Sequence, residues 1–252
     1  MRKRIIKNGL LIGITMTSLS VLSQSTGWKI EQITYDVSKD GIKSNQTKQT
    51  IYIGKEAVRI ENKQGVTLFK IEGDSAYIVR LMPPQKTYMV LPSQFLIMGM
   101  LGTYFKCENT GCEIDTTAIQ PTGETDTVKG YKTQKIKANM KIMGVQTTQV
   151  YQWMTKDWHE LNEAMDAYWK VVKKVLLKNV QEPEQVQLMK NVFEYIEEIQ
   201  DKYGNTIKSE MTLWGQTTVT ETVSVSKVNL SPDMFIIPKD YQEMQGFMQF
   251  RK

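Results

Sequence analysis

The chain has 252 residues, 40% of them hydrophobic and 23% charged, a balance that excludes wholesale disorder. Its formal charge is +5, but Arg2, Lys3, Arg4 and Lys7 stand ahead of an apolar run. Without them 28 basic residues face 27 acidic ones, so the basic excess belongs to the N-terminal tip and points to no nucleic-acid partner.

The opening, MRKRIIKNGLLIGITMTSLSVLSQSTG, places a basic stretch before the apolar run Gly9 to Leu22, with small residues at Ser23 and Ser25. This is the pattern of a cleaved secretory signal over residues 1–25, cut after Ser25 or Ser23. The run contains Thr15, Thr17, Ser18 and Ser20 and is short against the ~20 apolar residues of a membrane span, so an uncleaved anchor is the lesser alternative. The mature chain, residues 26–252, is expected in the periplasm as one domain.

From Trp28 to Met154 the apolar residues mostly alternate, and turn formers recur every eight to twelve positions. Ile33, Tyr35 and Val37, then Ile51 and Ile53, Val58 and Ile60, Leu68 to Ile71, Tyr77 and Val79, and Tyr88 and Val90 predict a meander of short antiparallel strands. Trp28 and Ile30 are out of phase with Ile33 and Tyr35, which predicts a bulge near Glu31 and Gln32. The segment Pro92 to Phe105 is almost continuously apolar and reads as a short helix or lid. Cys107 and Cys112 flank Asn109, Thr110 and Gly111, a pattern that predicts a structural disulfide across a hairpin in an oxidising compartment.

A second strand block runs from about Thr125 to Thr155. Residues 157–203 then carry two amphipathic helices. The first places Leu161, Met165, Tyr168, Trp169, Val172 and Leu176 on one face, with Thr155 or Asp157 as cap. The second starts at Pro183, carries Val186, Met189, Phe193, Ile196 and Ile199, and ends at Gly204. Beyond it Ile207, Met211, Leu213, Val219, Val223 and Val225 share one parity around a turn near Gly215 to Thr217, and the tail closes on Phe235, Ile236 and Ile237. The fold class is therefore α+β, with about ten antiparallel strands in one sheet and two or three helices covering one face.

Catalytic motifs are missing from this pattern. His159 is the single histidine, which excludes multi-histidine metal sites, and HELNE lacks the second histidine of a zincin. Carboxylate pairs such as Glu197 and Glu198 fall on polar helix faces. No cofactor and no enzymatic activity are expected. The positive signal is methionine, fifteen in all, with Met82, Met89, Met98 and Met100 near the apolar segment and Met244 and Met248 near the end. Methionine suits surfaces that accept variable apolar partners, and it also serves as filler in an ordinary core. A sheet covered by amphipathic helices admits either a hydrophobic cavity or a filled interior.

The order of GKEAVRIE, PPQKTYMVLP, VKGYKTQKIKA, YQWMTKDW and SPDMFIIPKDYQEM resembles an uncharacterised bacterial family of secreted proteins, a domain of unknown function with a LolA-like fold. That superfamily includes periplasmic lipoprotein carriers and stress-sensing regulators of the cell envelope. The resemblance implies a curved antiparallel half-barrel with helices on its concave face and an apolar cavity for acyl chains. It implies a turn into a central strand at Gly130 and Tyr131, and an inward-facing Tyr88. The helices at about 157–203 are an insert, and no hand-off surface of a lipoprotein carrier is apparent. The expected function is a carrier or binder of a lipid or other acyl-bearing ligand, its cavity lined by Tyr88, Phe95, Leu96, Met98, Met100, Trp153, Trp169 and Phe193. The alternative is an envelope interaction or stress-sensing module with a protein partner and no small ligand.

Overall fold

A computed structural model describes residues 25–92, 105–108, 111–114, 119–142, 146–180 and 182–244. Ser25–Val37 (β1), Lys43–Ile53 (β2), Ala57–Asn62 (β3), Gly65–Glu72 (β4), Ser75–Met82 (β5) and Thr87–Leu91 (β6) form one antiparallel meander, and β2 extends back from Ile51 and Ile53 through residues whose polar sequence carries no alternation. Phe105–Glu108 (β7) and Gly111–Ile114 (β8) make a separate hairpin. Ile119–Val128 (β9), Tyr131–Ile142 (β10), Gln146–Thr155 (β11), Asn205–Leu213 (β12) and Gln216–Leu230 (β13) form a second meander. β1 joins the two by pairing with β13 from Ser25 opposite Leu230 to Val37 opposite Thr217. Gln242–Glu243 (β14) adds a parallel edge to β6, giving an open sheet of twelve strands where about ten were expected. β10 lies second from the edge of this sheet, so the turn at Lys129 and Gly130 leads into a near-edge strand, not a central one.

The connection from β11 to β12 is the helical pair His159–Lys178 (α1) and Pro183–Tyr203 (α2). β11 and β12 are neighbours, so the helices are an excursion whose ends, Thr155 and Asn205, stand opposite each other in the ladder. α1 packs across β1 to β5, β12 and β13, burying Leu161, Ala164, Val171, Val172, Val175 and Leu176 at helical spacing. α2 buries Met189, Val192, Phe193 and Ile196 and begins with proline in its first turn. Neither expected cap of α1 acts as one. Thr155 is still part of β11; its hydroxyl donates to the Lys132 carbonyl and accepts from the Asp157 N–H, leaving Trp158 at the cap position. Trp158 instead stacks on Tyr131, with ring centroids 5.0 Å apart and planes 6° from parallel.

The main core lies between the helices and the sheet, where Trp28, Ile30, Ile51, Phe69 and Ile78 meet Leu161, Val172 and Phe193. A second cluster, Val66, Leu68, Val79 and Leu81, comes from the alternate residues of β4 and β5 and so lies on the other face, covered by Ile237 and Tyr241 of the tail.

The expected bulge is present at the level of Glu31 and Gln32, but the extra residue sits on β13. Glu31 pairs with Ser224 and Gln32 with Thr222, which leaves Val223 unpaired. β1 keeps its alternation against β2 through this stretch. The apolar residues of β1 therefore change face: Trp28 and Ile30 join the helix-side core, whereas Ile33 and Tyr35 turn to the opposite side. Gln32 and Thr34 take their place beneath the helices. A similar shift on β12 leaves Ile207 as the extra residue between the pairs Trp153 with Lys208 and Met154 with Thr206. Bulges re-aim side chains, and these two flank the same region of the helix-side face.

Candidate functional site

That region is a cavity of about 190 Å³ between α1, α2 and the sheet. Leu161, Met165 and Trp169 of α1, with Ile196 and Ile199 of α2, form one wall. Ile119, Met154 and Ile207 add apolar surface from the strands. The floor is polar: Gln32 from β1, Gln152 from β11, Asn205, Thr206 and Ser209 from β12, and Thr220 and Thr222 from β13. The Ile207 bulge explains why both Thr206 and Ile207 reach the cavity from one strand. None of the sixteen lining residues is charged.

Most of these polar groups are already engaged. Gln49 donates to the Gln32 carbonyl oxygen at 3.0 Å, and Gln32 donates to the Thr222 hydroxyl at 3.3 Å. The Thr34 and Thr220 hydroxyls share a bond of 3.0 Å. Gln200 donates to Asn205, which donates to Asn162, which in turn holds the Lys156 carbonyl, so one amide chain ties α2, β12 and α1 together. Gln152 and Ser209 differ. They are direct cross-strand partners, and neither side chain makes a hydrogen bond among the described residues.

Among the described residues, the charged side chains near the site face other surfaces. Lys208 and Lys135 lie over the Trp153 ring, 4.4 and 5.4 Å from its centroid, on the face away from the helices. Glu31 faces the same way, and the ammonium groups of Lys48 and Lys29 with the Ser224 hydroxyl hold its carboxyl down at about 2. Burial pushes the Tyr168 phenol up to about 12, so this neighbour of Trp169 stays neutral. Among the described residues no group of three or more His, Cys, Asp or Glu is placed to hold a metal ion. His159 is an exposed residue at the start of α1. A shallower recess of about 320 Å³ lies between Ser25, Gly54, Lys70 and Phe235.

Trp169 stands in the wall of this cavity. Phe193 stands behind it, edge-to-face with centroids 6.4 Å apart, as part of the packed core. Trp153 lies on the opposite sheet face, because Gln152 and Met154 hold the inward parity of β11. Tyr88 pairs with Leu81 and packs in the cluster under the tail, also away from the helices. Phe95, Leu96, Met98 and Met100 lie outside the described residues, as do residues 1–24. Cys107 and Cys112 stand directly opposite each other in the β7–β8 ladder. The polar floor was missed. Its signal in the sequence is the single glutamine between Val150 and Met154, two buried residues of the same parity.

The family model described as "Domain of unknown function (DUF4412)" matches residues 33–241, and the chain belongs to that family. An "Uncharacterized protein" of Aquifex aeolicus (strain VF5) is 24% identical over 223 residues, which is 87% of this chain and 82% of the relative. Among solved structures, the chain is similar to PNGF-II, with 15% identity and a TM-score of 0.40 over 87% of its own length. It spans 31%, under a third, of that chain. It is also similar to a LolA superfamily protein from Nitrosomonas europaea, with 9% identity and a TM-score of 0.30, covering 83% of this chain and 90% of the other.

Proposed function

We propose that this member of the DUF4412 family is a periplasmic binding or carrier protein for a lipid or other acyl-bearing hydrophobic ligand. The observation that supports this most directly is the cavity walled by the apolar faces of α1 and α2. Burial of apolar surface there contributes about 25 cal/mol per Å². The volume, about 190 Å³, is a little above the roughly 150 Å³ of an engineered apolar cavity that holds benzene, so the cavity suits one segment of an acyl chain and not a whole lipid. Among the described residues the lining offers hydroxyls and amides but no acid, base or activated nucleophile, which favours binding over catalysis. On this reading residues 1–25 are the cleaved leader, residues 26–252 form one domain, and the twelve-stranded sheet is the half-barrel of the LolA-like resemblance.

The test is native mass spectrometry on protein purified from the periplasm without detergent, beside lipid extraction. A discrete added mass matching an extracted acyl lipid is expected. Bare protein would sink the reading.

One observation favours the second reading, an interaction module. Trp214 and Ile42 are 82% and 65% exposed. They sit on the β12–β13 and β1–β2 turns, which the pairing of Val37 with Thr217 brings to one end of the sheet. Two large apolar side chains on adjacent hairpin tips suit a protein partner.

A further inference from the structure

We propose that the cavity recognises its ligand through an uncharged carbonyl linkage, an ester or an amide, and discriminates against the free fatty-acid carboxylate. This rests on the ligand reading above and names the chemistry of the part that enters.

Wall and floor make different demands. The helix wall accepts methylene or methyl groups without direction. The floor is directional, and most of it is spent on internal bonds: Gln32 on Thr222, Thr220 on Thr34, Asn205 on Asn162. What remains is the Thr206 hydroxyl and the pair Gln152 and Ser209, and only the latter two stand opposite each other on β11 and β12. Cross-strand partners have β-carbons about 5 Å apart, so an amide N–H of Gln152 and the Ser209 hydroxyl can converge on one acceptor oxygen. A carbonyl oxygen has two lone pairs and loses water when its chain is buried against Trp169 and Met165, so two donors offset that loss. A carboxylate presents the same oxygens with a full charge. Stripping it of water without a cation costs several kcal/mol. Among the described residues no cation lines the cavity. Lys208, next in sequence to Ser209, faces the other way, over Trp153 and bonded to Glu210.

Isothermal titration of the mature protein, delipidated and at pH 7.5, with monooctanoylglycerol and with sodium octanoate tests this below the micellar concentration of either. The ester is expected to bind about tenfold or more tightly than the carboxylate. The double variant Gln152→Leu with Ser209→Ala is expected to lose most of that preference, and Gln152→Lys to move it toward octanoate. Octanoate binding as tightly as the ester would overturn the linkage inference and leave lipid binding standing. Binding of neither probe would overturn both. The comparison on the unaltered protein decides the matter even if a variant fails to fold.

Discussion

Gly204 lies so close to Thr155 that a β-carbon on it would stand 1.9 Å from the Thr155 carbonyl oxygen. Its φ of +81° and ψ of −149° also belong to a region that only glycine occupies comfortably. This contact is where the helical pair returns to the sheet, so it sets where α2 sits over the cavity. Gly204→Ala is expected to destabilise by about 3 kcal/mol or more, from strain and clash together. Gly215→Ala has the same φ but open space around it, and should cost about 1 kcal/mol. Urea unfolding of both variants checks this; equal costs would show that the clash is relieved by a small shift.

Filling the cavity should separate binding from folding. Ser209 is half-buried on β12 with its side chain toward α1 and α2, and aromatic residues are at ease in strands. Ser209→Phe is expected to keep the far-UV spectrum and to change stability by no more than about 1.5 kcal/mol. It should abolish the lipid mass seen in native spectrometry. Undiminished lipid in this variant would place the ligand elsewhere, for instance in the recess beside Phe235.

How far the sequence reveals this site can be seen residue by residue. Alternation located most strands of both meanders, but it caught only the Ile51 and Ile53 end of β2 and began the second block near Thr125, inside β9; helical spacing located α1 and α2 within two residues at each end. Parity then assigned the wrong face to several side chains. Val219 and Val225 share parity in the sequence, yet Val225 packs with the helix-side core while Val219 pairs with Tyr35 on the opposite face. A bulge reverses every assumption downstream of it, and its strand cannot be read from one chain alone: the phase change was visible in β1, but the extra residue is Val223. Trp153 was misplaced for a simpler reason. A tryptophan looks like core, but here it is covered from outside by the lysines at 135 and 208.

The β7–β8 hairpin sets its two cysteines directly across from each other, where α-carbons lie about 4.5–5.5 Å apart, within the span of a disulfide. The intact protein is expected to weigh two hydrogens less than its reduced form and to resist alkylation. The loop closed is short, so the Cys107→Ser and Cys112→Ser double variant should lose only about 2 kcal/mol. Full alkylation of the protein without prior reduction would refute the bridge.

Trp214 and Gly215 both have positive φ, +49° and +81°, the signature of a type I′ turn that favours asparagine and glycine. A tryptophan at the first of these positions is strained and almost wholly in solvent. Trp214→Asn is therefore expected to raise stability by about 0.5–1 kcal/mol. If the hairpin tips form a partner surface, the same change will weaken capture of that partner. A drop in melting temperature on this substitution would show that the indole has contacts that stabilise the fold.

Glu31 gives the clearest dependence on pH. Its carboxylate lies 2.7 Å from the Lys48 ammonium and 2.9 Å from that of Lys29, and accepts from the Ser224 hydroxyl at 2.8 Å. These three groups join β1, β2 and β13 at the level of the Val223 bulge. They lower the carboxyl from an ordinary 4.5 to about 2. A depressed carboxylate stabilises the fold above its unfolded value, and that contribution is lost as pH falls from about 4.5 toward 2. Lys48 is 62% exposed, so solvent screens part of the interaction, and Glu31→Gln should cost about 1 kcal/mol at pH 7. Urea midpoints of the two proteins measured from pH 7 to pH 2 are expected to differ most at the neutral end and to converge below pH 3. The gap should also narrow in 1 M salt, where charges are screened within about 3 Å. Curves that stay parallel down to pH 2 would mean that the lost contribution is packing at the bulge and not the charge on Glu31.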